Sequence, residues 1–280
     1  MIPPRHPPRP LLPVPNGYDD FLKAAASVNA VARLSPHTAR GLSNSLKLNK
    51  SALESARLGC RKDCAVSIEY TRSYWIKNKT GQSGFVGIAQ AFLAEGGAAE
   101  KEGRISDAAR SYLDAMDFGD ACARGGLVID RSTGLMCEMM VFGSLSNILQ
   151  KVDGATCREA VQRLRALESK REGWDVIWKR EKSYLGTVMS LRDRGVRSLQ
   201  KLAVPRMLRD RTDTTKEQYE QVRTWQARLT VQLTGRASEL EKAKPVDGAP
   251  ALVPADPKAV LNGSAAGAGA ELRVNERQHQ

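Results

Sequence analysis

The stretch Phe92–Asp120, FLAEGGAAEKEGRISDAARSYLDAMDFGD, constrains the fold of this 280-residue chain more than any other. Small residues recur where two antiparallel helices would approach closely, and an aromatic residue stands where a gap between them would need filling. Five positions carry this pattern: Gly96, Gly103, Ala108, Tyr112 and Ala115. The spacing predicts a helical hairpin with a turn near Gly103.

This spacing resembles one tetratricopeptide repeat, a helical hairpin that stacks with its neighbours to bury a continuous core. Three positions depart from the repeat: Phe92 stands in place of the usual Trp, Ala99 in place of Tyr, and Asp120 in place of the terminating Pro. No sister repeat is readable elsewhere in the chain. We therefore predict one tetratricopeptide-like hairpin, with an ordinary αα-hairpin as the alternative.

Capping residues support helices on either interpretation. Ser106 is expected to be the N-cap of the second helix, and Asp107 places a carboxylate in its first turn, where the helix dipole favours negative charge. Gly125 and Gly126 are expected to end that helix, because glycine readily adopts a positive φ.

Apolar periodicity and caps predict an all-α fold of stacked antiparallel helical hairpins, with long C-terminal helices and disordered ends. Residues 65–70 alternate apolar and polar, which fits a short strand or, more simply, an extended linker. The methionines of the 135–149 helix are expected to fill the core, with an adaptable binding groove as the alternative. Predicted helices cover Tyr18–Val28, Pro36–Leu48 with Ser35 as N-cap, Ser51–Leu58, Phe85–Leu93, Leu135–Leu149, a helix from Asp153 toward Trp174 and Trp178, and Thr214–Leu240.

Four segments differ in composition. We predict a proline-rich extended segment at 1–16, a helical-hairpin domain at 17–204, a basic helical extension at 205–244 after the interruption by Pro205, and a disordered tail at 245–280. The tail has few large apolar residues to bury, which is typical of disorder.

Positive charge is concentrated in the second half of the chain. Residues 151–244 contain 22 Lys and Arg against 13 Asp and Glu, a net +9 of the chain's +12. Aromatic residues are interleaved there, as in segments that contact phosphates and stack bases: Trp174, Trp178, Tyr184 and Trp225. The signs alternate along most of this region, which is typical of a solvated helix with local ion pairs.

Only residues 192–211, called here the basic stretch, are dense enough in positive charge to form a patch. Its cationic residues are Arg192, Arg194, Arg197, Lys201, Arg206, Arg209 and Arg211. Contact between this stretch and a nucleic acid or another polyanion is possible but is not the favoured reading.

No nucleotide-binding, hydrolase or metalloprotease motif occurs in the sequence. The three histidines, His6, His37 and His279, lie in predicted loops or tails, so the folded part lacks the commonest general base at neutral pH. We predict no catalytic residues, no cofactor and no metal, and hence a protein that is not an enzyme.

The five cysteines are Cys60, Cys64, Cys122, Cys137 and Cys157. An odd number in a long chain favours reduced thiols in a cytoplasmic setting. Cys60 and Cys64 share a helical face and suggest a metal or redox pair, but zinc needs four ligands and no histidine is close in sequence. Helix packing is the predicted role of both side chains.

No membrane span is predicted. The longest weakly charged run, residues 134–149, carries Glu138 and is shorter than the ~20 residues that a spanning helix needs, so it is expected to be a buried helix. The N-terminus is broken by prolines and lacks the apolar core of a secretory signal. As written, the chain is predicted to be cytoplasmic.

Two segments resemble a family of uncharacterised bacterial α-helical proteins. The first is PRPLLPVPNGYDD at residues 8–20, and the second is AARSYLDA at 108–115 with ARGG at 123–126. The resemblance reaches to about Trp178 and implies a helical fold without an assigned activity. Many members carry a membrane anchor ahead of the prolines, which makes an envelope-associated protein whose anchor is missing from this sequence an alternative.

The leading functional hypothesis is therefore a non-enzymatic helical scaffold that binds an unknown protein partner. Polyanion or nucleic-acid binding through the basic stretch is one alternative, and an envelope-associated structural protein is the other.

Overall fold

The structure, a computed structural model, describes residues 11–28, 39–71, 74–190 and 203–242, with side chains except at 39–45, 75–82, 189–190 and 203–211. Every regular element in these ranges is helical, which confirms the all-α prediction. The α-helices are α1 Gly17–Ser27, α2 Ala39–Cys60, α3 Tyr74–Lys101, α4 Ile105–Ala123, α5 Val128–Ile148, α6 Gly154–Lys170, α7 Trp174–Ser190 and α8 Ala203–Lys242. A short 3₁₀ turn, Leu149–Lys151, follows α5.

Helices α3 and α4 form the predicted hairpin. A Cβ atom at Gly96 would lie 2.2 Å from the ring of Tyr112, so the two helices can approach this closely only because Gly96 has no side chain. Gly103 has a φ of +76° in the turn, a conformation that favours glycine. Ala108 and Ala115 are completely buried. The small residues therefore lie where the pattern placed them.

The start of α4 differs from the prediction. The N-cap is Arg104 rather than Ser106, and Ser106 lies inside the first turn, where its hydroxyl donates to Asp153 at 2.7 Å. Ser106 is not the cap because α4 already begins at Ile105, and the Ser106 oxygen accepts from the Thr156 hydroxyl at 3.0 Å instead of from a backbone N–H. Asp107 does lie in the first turn of α4, as expected.

Helices α4 and α5 cross at a second pair of glycines. A Cβ atom at Gly134 would lie 2.2 Å from the carbonyl oxygen of Gly119, and one at Gly119 would lie 2.7 Å from the carbonyl oxygen of Gly134. Helix α4 ends at Ala123, and Gly125 follows with a φ of +74°, as its sequence predicted. The backbones of α4 and α5 are thus in direct contact.

Helix α1 packs against α2, and Asn16 ties its start to the linker after α2. The Asn16 Oδ1 atom accepts hydrogen bonds from the N–H groups of Tyr18 and Ala65, each at 3.1 Å, while Nδ2 donates to the Ala65 carbonyl at 2.8 Å. Residues 65–70 carry no strand, so they are the linker that the sequence allowed. The fold begins at this anchored asparagine.

Two helix boundaries differ from the predicted ones. Helix α2 runs unbroken from Ala39 to Cys60 where two helices were expected, and Asn49 at the supposed break is a buried residue within it. The helix that begins at Asp153 stops at Lys170 instead of continuing to the tryptophans, and residues 171–173 separate it from α7. Ser35 and Pro36 lie outside the described residues.

The core is built around aromatic rings contributed by α1, α3 and α4, mostly in edge-to-face contact. These rings belong to Tyr18, Phe21, Phe85, Phe92 and Phe118. The expectation that the methionines of α5 fill the core is wrong for Met136 and Met139, which are 44% and 38% exposed. Helix α5 turns Leu135, Glu138 and Val141 inward, which leaves those two methionines outward.

Helix α8 packs against α6 and α5. Leu229, Leu233 and Ala237 join the main core, and the Gln226 Nε2 atom donates to the Leu164 carbonyl at 2.7 Å. The helix begins at Ala203 rather than at Thr214, with Pro205 in the first turn, where backbone N–H groups have no partner within the helix. The predicted disordered tail lies outside the described residues.

None of the helices in the described ranges is long and apolar enough to span a bilayer.

Candidate functional site

Charged side chains are buried where α4, α5 and α8 meet the end of α6. This buried charge network consists of Asp120, Arg131, Glu138, Arg171 and Gln226. Arg171 donates two hydrogen bonds to Glu138, at 3.0 and 2.6 Å, and a third to Gln226 at 3.0 Å. Asp120 accepts from Arg131 at 2.9 Å. None of the four charged side chains is more than 1% exposed, so the network is closed to solvent.

Asp120 is ionised in this environment. Burial by itself would raise the pKa of Asp120, but the guanidinium groups of Arg131, Arg171 and Arg124 outweigh it and lower the pKa to about 2. Asp120, which stands where the repeat pattern has a proline, is thus a member of the buried charge network.

Acidic side chains also fasten the turn between α4 and α5. Glu172 accepts a hydrogen bond from the Gly125 N–H and Glu181 accepts one from the Val128 N–H, both at 2.9 Å. Asp130 accepts from the Leu127 N–H at 2.8 Å. Asp130 and Glu181 thus satisfy backbone donors at the start of α5 that have no partner within the helix, and Glu172 satisfies a donor in the turn before it.

The chemistry available to these groups is structural. A general acid or base must be within hydrogen-bond reach of a substrate. The carboxylates of the network and of the α4–α5 turn are instead bonded to arginines or to backbone N–H groups, and all of them except the partly exposed Glu172 are buried. Their arrangement holds the later helices onto the hairpin.

An open cleft with a volume of about 570 Å³ lies between α2, α3 and α4. We call it the hairpin cleft. Four apolar residues line it and are called here the floor: Leu46, which is partly exposed, and Leu53, Ala98 and Ala99, which are each no more than 6% exposed. Apolar surface at the bottom of an open cleft is the arrangement by which proteins bind other molecules.

Arg57 is fixed at one end of the hairpin cleft. Its Nε atom donates to Asp114 at 2.6 Å, its Nη atoms donate to both carboxylate oxygens of Glu95, and its guanidinium lies 5.1 Å from the ring centre of Phe92. The Ser111 hydroxyl donates to Glu95 at 2.7 Å. The cleft's inner carboxylates are therefore already paired with groups of this chain.

The α2 rim of the cleft carries positive charge that is weakly compensated. On the opposite rim, Asp107 accepts from Arg104 at 2.8 Å. Lys50 approaches Glu54 only to 3.9 Å, and both side chains are more than half exposed, a geometry that contributes little stability. Lys47 has no ion-pair partner among the described residues.

The aromatic residues proposed for base stacking do not form a common platform. Tyr184 is buried and donates to the Thr71 carbonyl at 2.8 Å, and Trp225 stacks on Phe142 with ring centres 3.6 Å apart. Trp174 and Trp178 pack against the small cluster around Tyr219. These rings serve packing at separate places in the fold.

Residues 191–202, which include most of the basic stretch, lie outside the described residues, as do the side chains of 203–211. Nucleic-acid binding there stays a prediction. His6, His37 and His279 are also outside the described residues.

Cys64 is buried beside the end of α2, and its thiol donates to the Gly59 carbonyl at 3.3 Å. Cys60 is half-buried at the last position of α2. Within the described residues, no group of three or more His, Cys, Asp or Glu side chains is arranged to hold a metal ion. The predicted absence of a metal site stays a prediction for the whole chain.

Sequence reasoning missed the residues of the hairpin cleft. Lys47, Lys50 and Arg57 come from α2, whereas Glu95 and Asp114 come from the hairpin. Only the hairpin pattern pointed to this region. The sequence around Arg57 does not indicate that its partners are Glu95 and Asp114, which are 38 and 57 residues away.

Comparison of the chain with protein-family models, with curated proteins and with solved structures found no match. The resemblance to a family of bacterial helical proteins therefore stays a prediction.

Proposed function

We propose that the protein is a non-catalytic helical scaffold that binds a segment of a protein partner in the hairpin cleft. The observation that carries the proposal is the cleft itself, which is open to solvent and whose lining combines the partly exposed side chain of Leu46 with the buried Leu53, Ala98 and Ala99 between charged rims. A guest side chain that covers this floor removes apolar surface from water on both molecules, which is favourable.

The form of the cleft favours a peptide segment over a small molecule. Sites for small molecules enclose most of the ligand and are lined largely by apolar and aromatic side chains. The hairpin cleft is open, and none of the residues that the structure describes in its lining is aromatic. A side chain of an extended or helical partner segment fits an apolar depression of this kind, while its neighbours reach the rims.

The cleft is also organised before a partner arrives. Arg57 is held by Glu95, Asp114 and the ring of Phe92, so the end of the cleft is set by contacts within this chain. Binding to groups that are already ordered loses less conformational entropy than binding to mobile ones. This supports a binding role for the cleft.

The test uses random peptides displayed on phage and selected on the immobilised full chain. A photo-cross-linking residue at position 107 lies at the cleft rim, because Asp107 is an exposed lining residue. The matched control carries the same residue at position 231, because Val231 is 71% exposed on α8. Selected peptides are expected to cross-link at 107 and not at 231. Failure to select any peptide that cross-links at 107 would remove the proposal.

A further inference from the structure

We infer that the segment bound in the hairpin cleft is acidic, with carboxylates flanking one apolar anchor residue. The inference rests on the proposed function, since it specifies the partner of the same cleft. The apolar anchor contacts the floor, and the carboxylates contact the rim that α2 contributes.

The charges lining the cleft are the first support. Among the described lining residues, five are cationic, namely Lys47, Lys50, Arg57, Arg104 and Arg110, and three are anionic, namely Glu95, Asp107 and Asp114. The cleft thus has an excess of two positive charges. Interfaces place opposite charges against each other, because complementarity raises the association rate and rejects other partners.

The distribution of those charges is the second support. Arg104 and Arg110 are bonded to acids of this chain, at 2.8 Å to Asp107 and at 3.0 Å to Glu159 respectively. Lys47 and Lys50 are three residues apart on α2, so they share one face of the helix, and both are exposed. The ammonium groups of these two lysines are therefore the charges with which carboxylates of a bound segment would pair.

The lining of the cleft favours an acidic peptide over a nucleic acid as the molecule that binds there. Single-stranded nucleic acid binds where a basic groove is combined with aromatic side chains that stack on bases. The described lining residues of the cleft include no aromatic side chain, and Glu95, Asp107 and Asp114 interrupt its positive charge. A peptide can place an apolar residue over the partly exposed Leu46 and its acids on the α2 rim, whereas a continuous phosphate backbone would also face those three carboxylates.

The experiment sequences the peptide pool selected by the full-length wild-type chain and measures the affinity of that pool for two variants. The test variant reverses both rim lysines, Lys47→Glu with Lys50→Glu. The control variant makes the same change in net charge away from the cleft, Lys179→Glu with Lys216→Glu, at exposed positions of α7 and α8. Circular dichroism confirms that both variants fold.

We expect the pool to be enriched in Asp and Glu on both sides of an apolar residue. We also expect about a tenfold loss of affinity in the rim variant and a change within about twofold in the control, with binding that weakens as salt is added. Competition by a single-stranded oligonucleotide should be negligible.

The two proposals fail in different ways. A pool that cross-links at position 107 but is neutral or basic overturns the inference and leaves the proposed function standing. Equal loss in both variants, or displacement of the pool by the oligonucleotide, overturns the inference in the same manner. If no peptide cross-links at 107, the proposed function and the inference are both lost.

Discussion

Arg171 and Glu138 form a two-pronged ion pair inside the protein, with Nη1 to Oε1 at 3.0 Å and Nη2 to Oε2 at 2.6 Å. Arg171 follows the last residue of α6, and Glu138 lies in the middle of α5. Since neither side chain is more than 1% exposed, each charge depends on its protein partners rather than on water. The pair therefore fixes the position at which the chain leaves α6.

Removing one charge of this pair should be costly. Glu138→Gln keeps the shape of the side chain but leaves the Arg171 guanidinium with only its more distant carboxylates, Glu168 at 3.5 Å and Asp120 at 3.8 Å. We therefore expect a loss of about 3 kcal/mol in the free energy of unfolding. The matched control is Glu159→Gln, which removes an acid paired with Arg110 at the surface and should cost less than about 1 kcal/mol. Urea denaturation measures both. Similar losses in the two variants would show that the buried pair has no special role.

Asp120 should make stability depend on acidity. Its pKa is lowered from 3.8 to about 2 in the folded protein, mainly by Arg131 and Arg171 acting against burial. The pKa of Asp120 is lower in the folded protein than in the unfolded chain. Its contribution to the free energy of unfolding is therefore present above the unfolded pKa and is lost as the pH falls through the folded pKa. The loss should be about 2 kcal/mol between pH values of about 4.5 and 2.

The measurement compares the wild type with Asp120→Asn in urea across this pH range. The difference between their free energies of unfolding should shrink as the pH falls, because the variant has no carboxyl group to protonate. A difference that stays constant, or that grows toward low pH, would contradict the lowered pKa of Asp120.

The two adjacent glycines of α3 should respond in opposite directions to the same substitution. Gly96→Ala would place a methyl group 2.2 Å from the Tyr112 ring, so we expect destabilisation of about 1 to 3 kcal/mol. At Gly97 the nearest atom is 4.0 Å away, and alanine is the better helix former, so Gly97→Ala should stabilise by about 0.5 to 1 kcal/mol. Thermal unfolding of both variants provides the check. Stabilisation by Gly96→Ala would show that the α3–α4 contact is looser than described, and destabilisation by Gly97→Ala would contradict the open space at that position.

Features that depend on neighbours in sequence could be predicted. The Gly96 contact with Tyr112, the positive φ of Gly125 and the capping of α6 by Asp153 all follow from short-range spacing and local hydrogen bonds. The all-α class follows from periodicity in the same way. Each of these signals lies within a few turns of helix.

Features that join distant segments could not be predicted. Ser106 has the chemistry of an N-cap, but the fold brings Asp153 within reach of its hydroxyl, and that contact has no signature near residue 106. Asp120 and Arg171 are 51 positions apart in the sequence yet lie 3.8 Å from each other inside the protein. An alternating pattern of charged residues predicts a solvated helix surface, so the buried charge network could not be recognised from the sequence. The hairpin cleft could not be recognised either, because it exists only where three helices pack together.

The central claim, that an acidic partner segment occupies the hairpin cleft, is tested most directly by amide hydrogen exchange of the full chain with and without the selected peptides. Bound peptide should slow exchange in the parts of α2, α3 and α4 that line the cleft, from Leu46 to Arg57, near Ala98 and Ala99, and from Arg104 to Asp114. The α8 helix around Val231 should be unchanged and serves as the internal control. Protection confined to α7 or α8, or no change along α2 at saturating peptide, would contradict the account.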